Sequence, residues 1–321
     1  MDLLERLTQT DSVSGHEAAI AEIIKNEVRD YVDEILQDAL GNLIVHIKGS
    51  GKKLLFAAHM DEIGIVVTFI DEAGFLRFSN VGGLYKKDLL GRKVRFANGV
   101  IGVIGAEEEN KDRDIAKMYI DIGAADREDA EAVVSVGDTA AFTGGFYREN
   151  GVVIAKALDN RAGCYVLIEA IKRVKSENDL YFVFTVQEEV GLRGAKTAAF
   201  DVVPDFAVAV DVTDTGDTPN ASKMAVRLGK GAAVKIMDRS VMCSVSVRND
   251  LIALAKQNNI PYQLEVMTDG GTDAGALSLT GAGIKTGGVS IPCRYVHSPA
   301  EMAAQSDIAA AVDLIVEYAG I

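Results

Sequence analysis

The stretch VFTVQEEVGLRG (residues 183–194) runs from an apolar segment straight into two adjacent glutamates, Glu188 and Glu189. Neighbouring side chains on a strand point to opposite faces, so inside a regular strand one of these carboxylates would be costly to desolvate. At a strand end the backbone is free to turn, and both can face one cleft. Alone, such a pair is better explained by a solvated turn bent at Gly191 and Gly194. It gains chemical meaning only if other ligand-type side chains converge on it.

Four further segments supply such side chains. His59 follows the apolar run LLFAA, Asp159 lies in KALDNRAG between a short strand and a helix, Asp211 closes FAVAVD, and His297 follows GGVSIPCRYV. Ligands of open α/β sheets bind beyond the carboxyl ends of the strands, so these residues are expected along one shared edge. Each also has an ordinary structural reading. His59 could be a hydrogen-bonded strand-end residue, and Asp159 and Asp211 could be caps or turn formers. His297 precedes what reads as a helix start, with Ser298 as N-cap, Pro299 in the first turn and Glu301 closing a capping box. Such a cap would also set the rotation of His297. The other histidines, His16 in SGHE and His46 in NLIVHIKG, read as structural.

Two imidazoles with several carboxylates and no cysteine match neither a structural zinc site nor a calcium site. They suit a borderline cation in an open, hydrolytic site. The set suffices for two ions, with one carboxylate bridging and a histidine plus a carboxylate completing each side, while another carboxylate stays free as general base. Other chemistries lack their signatures. Neither Gly-Lys pair is followed by Ser or Thr, no Gly-x-Ser-x-Gly elbow exists, and GAGIKTG misses the dinucleotide fingerprint at its last position.

The elements that must hold these residues follow from pattern and composition. With 321 residues and 48% apolar content, the chain should form one large domain and a smaller one. A net charge of −14 without a Lys/Arg block argues against a nucleic-acid partner. The N-terminal residues hold no uninterrupted apolar stretch, so neither a signal peptide nor a membrane span is expected, and the protein should be cytosolic. Cys164, Cys243 and Cys293 are scattered, which suits a reducing compartment and small buried residues.

HEAAIAEIIKNEVRDYV spaces Ile20, Ile23, Ile24, Val28 and Tyr31 as one helical face, while NLIVHIKG and KKLLFAAHMDEIG read as two strands joined by a hairpin loop at residues 49–51. Between about Ile63 and Ile154, short Val/Ile/Phe segments alternate with glycine turns, and the one expected helix, DREDAEAVV, is capped by Asp126. Helix–strand alternation resumes at Ala155. The fold class is therefore α/β, a sheet covered by helices and formed by residues 1–62 and 155–321, with a small β-barrel-like domain inserted at 63–154.

AAHMDEIG, KALDNRAG, QEEVGLRGA, DVTDTGDTP, GGTDAGAL and RYVHSPAEM, in this order, resemble the motif series of the TET-type metalloaminopeptidases, the family of glutamyl aminopeptidases and of relatives once labelled endoglucanases. The resemblance spans essentially the whole chain. It implies a mixed, zinc-exopeptidase-like sheet and an aminopeptidase acting on short peptides with a free N-terminus through two divalent ions, zinc or cobalt with manganese as a further option. Asp159 would bridge the ions, with His59 and Asp211 on one side and Glu189 and His297 on the other. Glu188 would act as general base, and Asp61 would orient His59. The inserted domain would serve dimerisation, with six dimers forming a dodecamer. Deacylase or carboxypeptidase action on the same scaffold is the alternative. A glycosidase would use Glu188 and Glu189 but leave the other ligand-type residues unexplained, in a chain without Trp.

Overall fold

The computed structural model of the chain describes residues 2–110 and 112–321. Helices α1 (Leu3–Gln9) and α2 (Ala18–Val28) precede strands β1 (Glu34–Gln37), β2 (Leu43–Ile47) and β3 (Lys53–His59). Then come β4 (Gly64–Ile70), β5 (Leu76–Val81), β6 (Lys93–Phe96), β7 (Ile101–Ala106), β8 (Met118–Asp121), α3 (Arg127–Glu131) and β9 (Thr139–Phe142). The chain continues through β10 (Tyr147–Glu149), β11 (Val152–Ala155), α4 (Leu158–Arg173), β12 (Asp179–Thr185), α5 (Arg193–Val202), β13 (Phe206–Thr213) and β14 (Ala232–Met237). It ends with α6 (Val245–Gln257), β15 (Tyr262–Val266), α7 (Asp273–Ser278), β16 (Lys285–Arg294), β17 (Glu301–Ala304) and α8 (Gln305–Ala319).

The large sheet is mixed and eleven-stranded, in the order β1-β2-β12-β3-β13-β16-β17-β11-β10, with β14 paired to β16 and β15 to β14. Its centre, β12-β3-β13-β16, is parallel, so four strands bring their carboxyl ends to one edge. Alternation along β3 sends Leu54, Phe56 and Ala58 into a core shared with α1, α2, α4, α6 and α8, while Leu55 and Ala57 face α5 and α7. Phe56 stacks on Phe182 and meets Tyr318 edge-on, at centroid distances of 5.1 and 6.2 Å. Each such side chain contributes about 1.5–3 kcal/mol on burial. The strand ends are thus held by the core and not by their loops.

β4-β5-β8-β7-β6-β9 close a barrel around Ile65, Val67, Leu76, Phe78, Val94, Ile104 and Ile120. Asp126 caps α3 by accepting the Asp129 N–H, as expected. The barrel is tied to the sheet domain by Arg95, which donates to Asp11 at 2.6 and 3.1 Å, and Asp11 also pairs with Lys156 at 2.8 Å.

Three expectations need correction. The segments joined by residues 49–51 form no hairpin, because β12 lies between β2 and β3, antiparallel to one and parallel to the other. The barrel strands end at Phe142, short of residue 154, since β11 pairs with β17 and β10 with β11 in the large sheet. Tyr31 lies beyond α2 and is exposed, leaving Ile20, Ile24 and Val28 as the fully buried members of that helical stripe.

Candidate metal centre and cleft

His59 is the last residue of β3, next to Thr185 at the end of β12, and its side chain is 2% exposed. The imidazole is fixed from behind. Nδ1 lies 3.2 Å from the Asp61 carbonyl and 3.4 Å from Asp61 Oδ1, and the His59 carbonyl accepts the Cys164 thiol at 3.1 Å. Forward, Nε2 lies 3.1 Å from Asp159 Oδ1 and 3.6 Å from Asp211 Oδ1.

Asp159 reaches in two directions. Its second oxygen, Oδ2, lies 3.3 Å from His297 Nε2, which is in turn 3.3 Å from Glu189 Oε2. The five expected ligands therefore form two halves, His59 with Asp211 and His297 with Glu189, joined by one carboxylate. Ligand atoms of His59, Asp159 and Glu189 all fall within 4.8 Å of one another.

Asp61 orients more than its histidine. Its two carboxylate oxygens accept the Glu188 N–H at 3.0 Å and the Glu189 N–H at 3.2 Å, and Oδ2 also accepts the Ser14 hydroxyl at 2.6 Å. One buried anion thus aligns His59 and the whole glutamate pair. Backbone geometry confirms how tightly the segments are turned, since Ala157, Gln187, Leu192, Tyr295 and His297 all adopt positive φ, between 53° and 62°. Non-glycine residues hold such conformations at a cost on the order of 1–3 kcal/mol, and they gather where side-chain aim matters.

The electrostatics favour cations. Burial alone would discharge both imidazoles, yet Asp159, Asp211 and Asp61 hold His59 well above its usual pKa, and Glu189 and Asp159 push His297 up to about 12. Burial raises Glu188, Glu189 and Asp211 above the ordinary carboxylate range, whereas in Asp159 the hydrogen bonds from His297 and His59 outweigh burial and lower it. A field that keeps protons on both imidazoles would also attract dications. Glu189 Oε1 is buried without a hydrogen-bond partner among the described residues, which leaves lone pairs free for a ligand. The oxygen and nitrogen donor set fits divalent cations such as zinc or cobalt.

The remaining histidines stay outside. His16 is exposed, and His46 stacks on Tyr181 at 4.1 Å and pairs with Asp179 at 2.7 Å.

The capping-box reading of Ser298, Pro299 and Glu301 is incorrect. Residues 295–300 form a turn, Glu301 opens β17, and the helix begins only at Gln305. Glu301 instead turns inward and accepts the backbone N–H groups of Asp159 and His297.

Three other contributors escaped the sequence reading. Asp273, in the GGTDAGAL segment, accepts the Thr185 hydroxyl at 2.5 Å, and burial pushes its carboxyl up to about 7. Gly82 and Gly83, which follow β5 of the barrel, press on the centre, where an added Cβ would lie 3.1 Å from Glu189 Oε2 and 3.2 Å from His297 Nδ1 respectively. The centre opens into a cleft of about 840 Å³, walled by Tyr85 and Lys87 of the barrel segment and by Thr213, Met224 and Thr268 of the sheet domain.

Residues 41–314 match the family model described as M42 glutamyl aminopeptidase. A protein of Acetivibrio thermocellus, named as a candidate aminopeptidase, is 55% identical over 98% of this chain and 97% of its own. The lysyl aminopeptidase of Pyrococcus furiosus is 36% identical over 96% of this chain and 93% of its own. Among solved structures, a TET peptidase of Pyrococcus horikoshii, described as able to assemble into a tetrahedron or a large octahedral shell, superposes with a TM-score of 0.89 at 38% identity, covering 99% of this chain and 98% of that one.

Proposed function

From the premise that this chain belongs to the M42 glutamyl aminopeptidase family, we propose how its residues perform the reaction. The protein is an aminopeptidase, a hydrolase of a metallopeptidase family with a mixed α/β fold. Two divalent cations would be held by His59 and Asp211 in one half and His297 and Glu189 in the other, with Asp159 shared. The observation that carries this reading is the Asp159 carboxylate, whose two oxygens face two different histidines at 3.1 and 3.3 Å. Bound cations supply Lewis acidity, acidifying a water and polarising the scissile carbonyl.

The chain supplies the proton handling. Glu188, kept off the ligand set and made more basic by burial, takes the proton of the attacking water and delivers it to the leaving amine. Asp61 fixes the tautomer of His59 and the direction of Glu188 at once. A peptide with a free N-terminus occupies the cleft, its scissile bond against Glu188. Exhaustive chelation should abolish hydrolysis of an unblocked aminoacyl-p-nitroanilide, and zinc, cobalt or manganese should restore it. Full activity in metal-free protein would contradict the reading.

The barrel is read as an assembly module. Ile101 and Val103 project outward from β7, 45% and 42% exposed, close in sequence to the buried Ile104, and Phe69 is 51% exposed on β4. Outward apolar residues of this kind suit a self-complementary contact. We infer dimers formed through the barrel and a dodecamer built from six of them, in keeping with the shells described for the Pyrococcus horikoshii relative. Among the described residues no helix is long and apolar enough to cross a membrane, and the three buried thiols suit a cytosolic setting.

A further inference from the structure

Glu301 is fully buried and commits each carboxylate oxygen to a different backbone amide. Oε2 accepts the Asp159 N–H at 2.9 Å, and Oε1 accepts the His297 N–H at 2.7 Å. The residue that joins the two halves of the centre and a ligand of one half thus hang on a single side chain. Resting on the two-ion reading above, we propose that Glu301 is a positioning residue that sets the spacing of Asp159 and His297 and thereby controls occupancy of the His297–Glu189 half.

Glu301 is a rigid post. It opens β17, a strand paired with β11 on one side and β16 on the other, with Glu301 itself opposite Ala155. What it holds differs in firmness. Asp159 is followed by Asn160, whose amide donates to the Val210 carbonyl at 2.8 Å and accepts the Gly163 N–H at 3.0 Å, so that segment is anchored to β13 and α4 without Glu301. His297 sits on a turn at φ 62°, two residues after Tyr295 at the same φ and two before Pro299, which has no N–H to donate. Among the described residues, Glu301 is the partner of the His297 backbone N–H.

The chemistry requires a carboxylate. In this geometry both Glu301 oxygens accept, whereas Gln offers one acceptor and one donor group, so a Gln would turn its NH₂ toward one of the two amides. The loss should fall on the loosely held turn. His297 would drift from Asp159 and Glu189, while His59 and Asp211, carried within the register of β3 and β13 and not on the turn, keep their places. A purely structural role would weaken both halves alike.

The test is Glu301→Gln in the full chain, stripped of metal and titrated with cobalt, read by visible absorption and elemental analysis beside the unsubstituted protein. The first equivalent should bind as in the parent, and the second about 10–100-fold more weakly, the range for losing a partner that orients a ligand. Equal weakening of both equivalents, or no weakening, overturns the proposal. If Glu301→Gln does not fold, Glu301→Asp carries the test, since it keeps two acceptors but is one methylene too short to reach both amides. The same selective loss of the second equivalent is expected, and unchanged binding of both overturns the proposal. An unsubstituted protein that takes fewer than two ions contradicts the two-ion reading itself, a failure visible without any substitution.

Discussion

The two halves of the centre are built on different principles. His59 ends β3, Asp211 lies two residues before the end of the neighbouring parallel strand β13, and each is buried. Their geometry is set by strand register and by the core beneath. His297 lies on a left-handed turn with its side chain 23% exposed and its backbone N–H held by Glu301, while Gly83 and Gly82 of the barrel segment approach so closely that an added Cβ would meet His297 and Glu189. One half is fixed by secondary structure, and the other by a few long-range contacts. Preorganised ligands lose less freedom on binding, so the first half should hold its ion more firmly.

In the proposed assignment Glu188 belongs to neither half, and removing its charge sharpens the comparison most. Glu188→Gln should lower kcat by about 10²–10⁴-fold, the contribution of a general base, while both ions stay bound. Elemental analysis beside turnover checks this, and loss of metal in that variant would place Glu188 among the ligands.

Asp61 acts on the first half through His59, yet it also accepts both glutamate N–H groups. Asp61→Asn should therefore cost about 10–100-fold in metal affinity or activity and weaken both halves, which would blur the contrast between them. His16→Ala and His46→Ala serve as controls and should leave metal binding unchanged. A large metal loss in either control would show that the wrong histidines were chosen.

The smallest effect should isolate the second half. Gly82 has φ +78°, and an added Cβ would meet Ile63 at 2.8 Å and Glu189 Oε2 at 3.1 Å. Gly82→Ala should cost on the order of 1–3 kcal/mol in backbone strain and displace Glu189, so the second cobalt equivalent weakens while the first does not. Equal binding of both equivalents would mean that the barrel segment yields without disturbing the centre.

This division also explains what the sequence made legible. His59, Asp211, Glu188 and Glu189 each follow an apolar run, and the end of a buried strand is a local signal. Asp159 was marked by the break between a short strand and a helix. The turn-held half was harder to read. Ser298, Pro299 and Glu301 satisfy every local criterion for a helix start, yet Glu301 points at the Asp159 and His297 backbones, a contact that spacing cannot reveal. The false hairpin at residues 49–51 has the same origin, because adjacency in sequence gave no hint that β12 intervenes. β14 carries a weak strand signal because Lys235 interrupts its apolar pattern, its charge met inside the protein by Glu265 and Asp238. Glycines 82 and 83 read as turn punctuation, whereas their lack of a side chain is what lets the barrel approach the ligands.

The central claim is that Asp159 joins two cation sites of unequal firmness. The most direct measurement is a cobalt titration of chelated protein, followed by visible absorption and by aminopeptidase turnover in the same samples. The account predicts two equivalents per chain, bound in sequence with the second weaker, and both required for full turnover. Saturation of spectrum and activity at a single equivalent would contradict it.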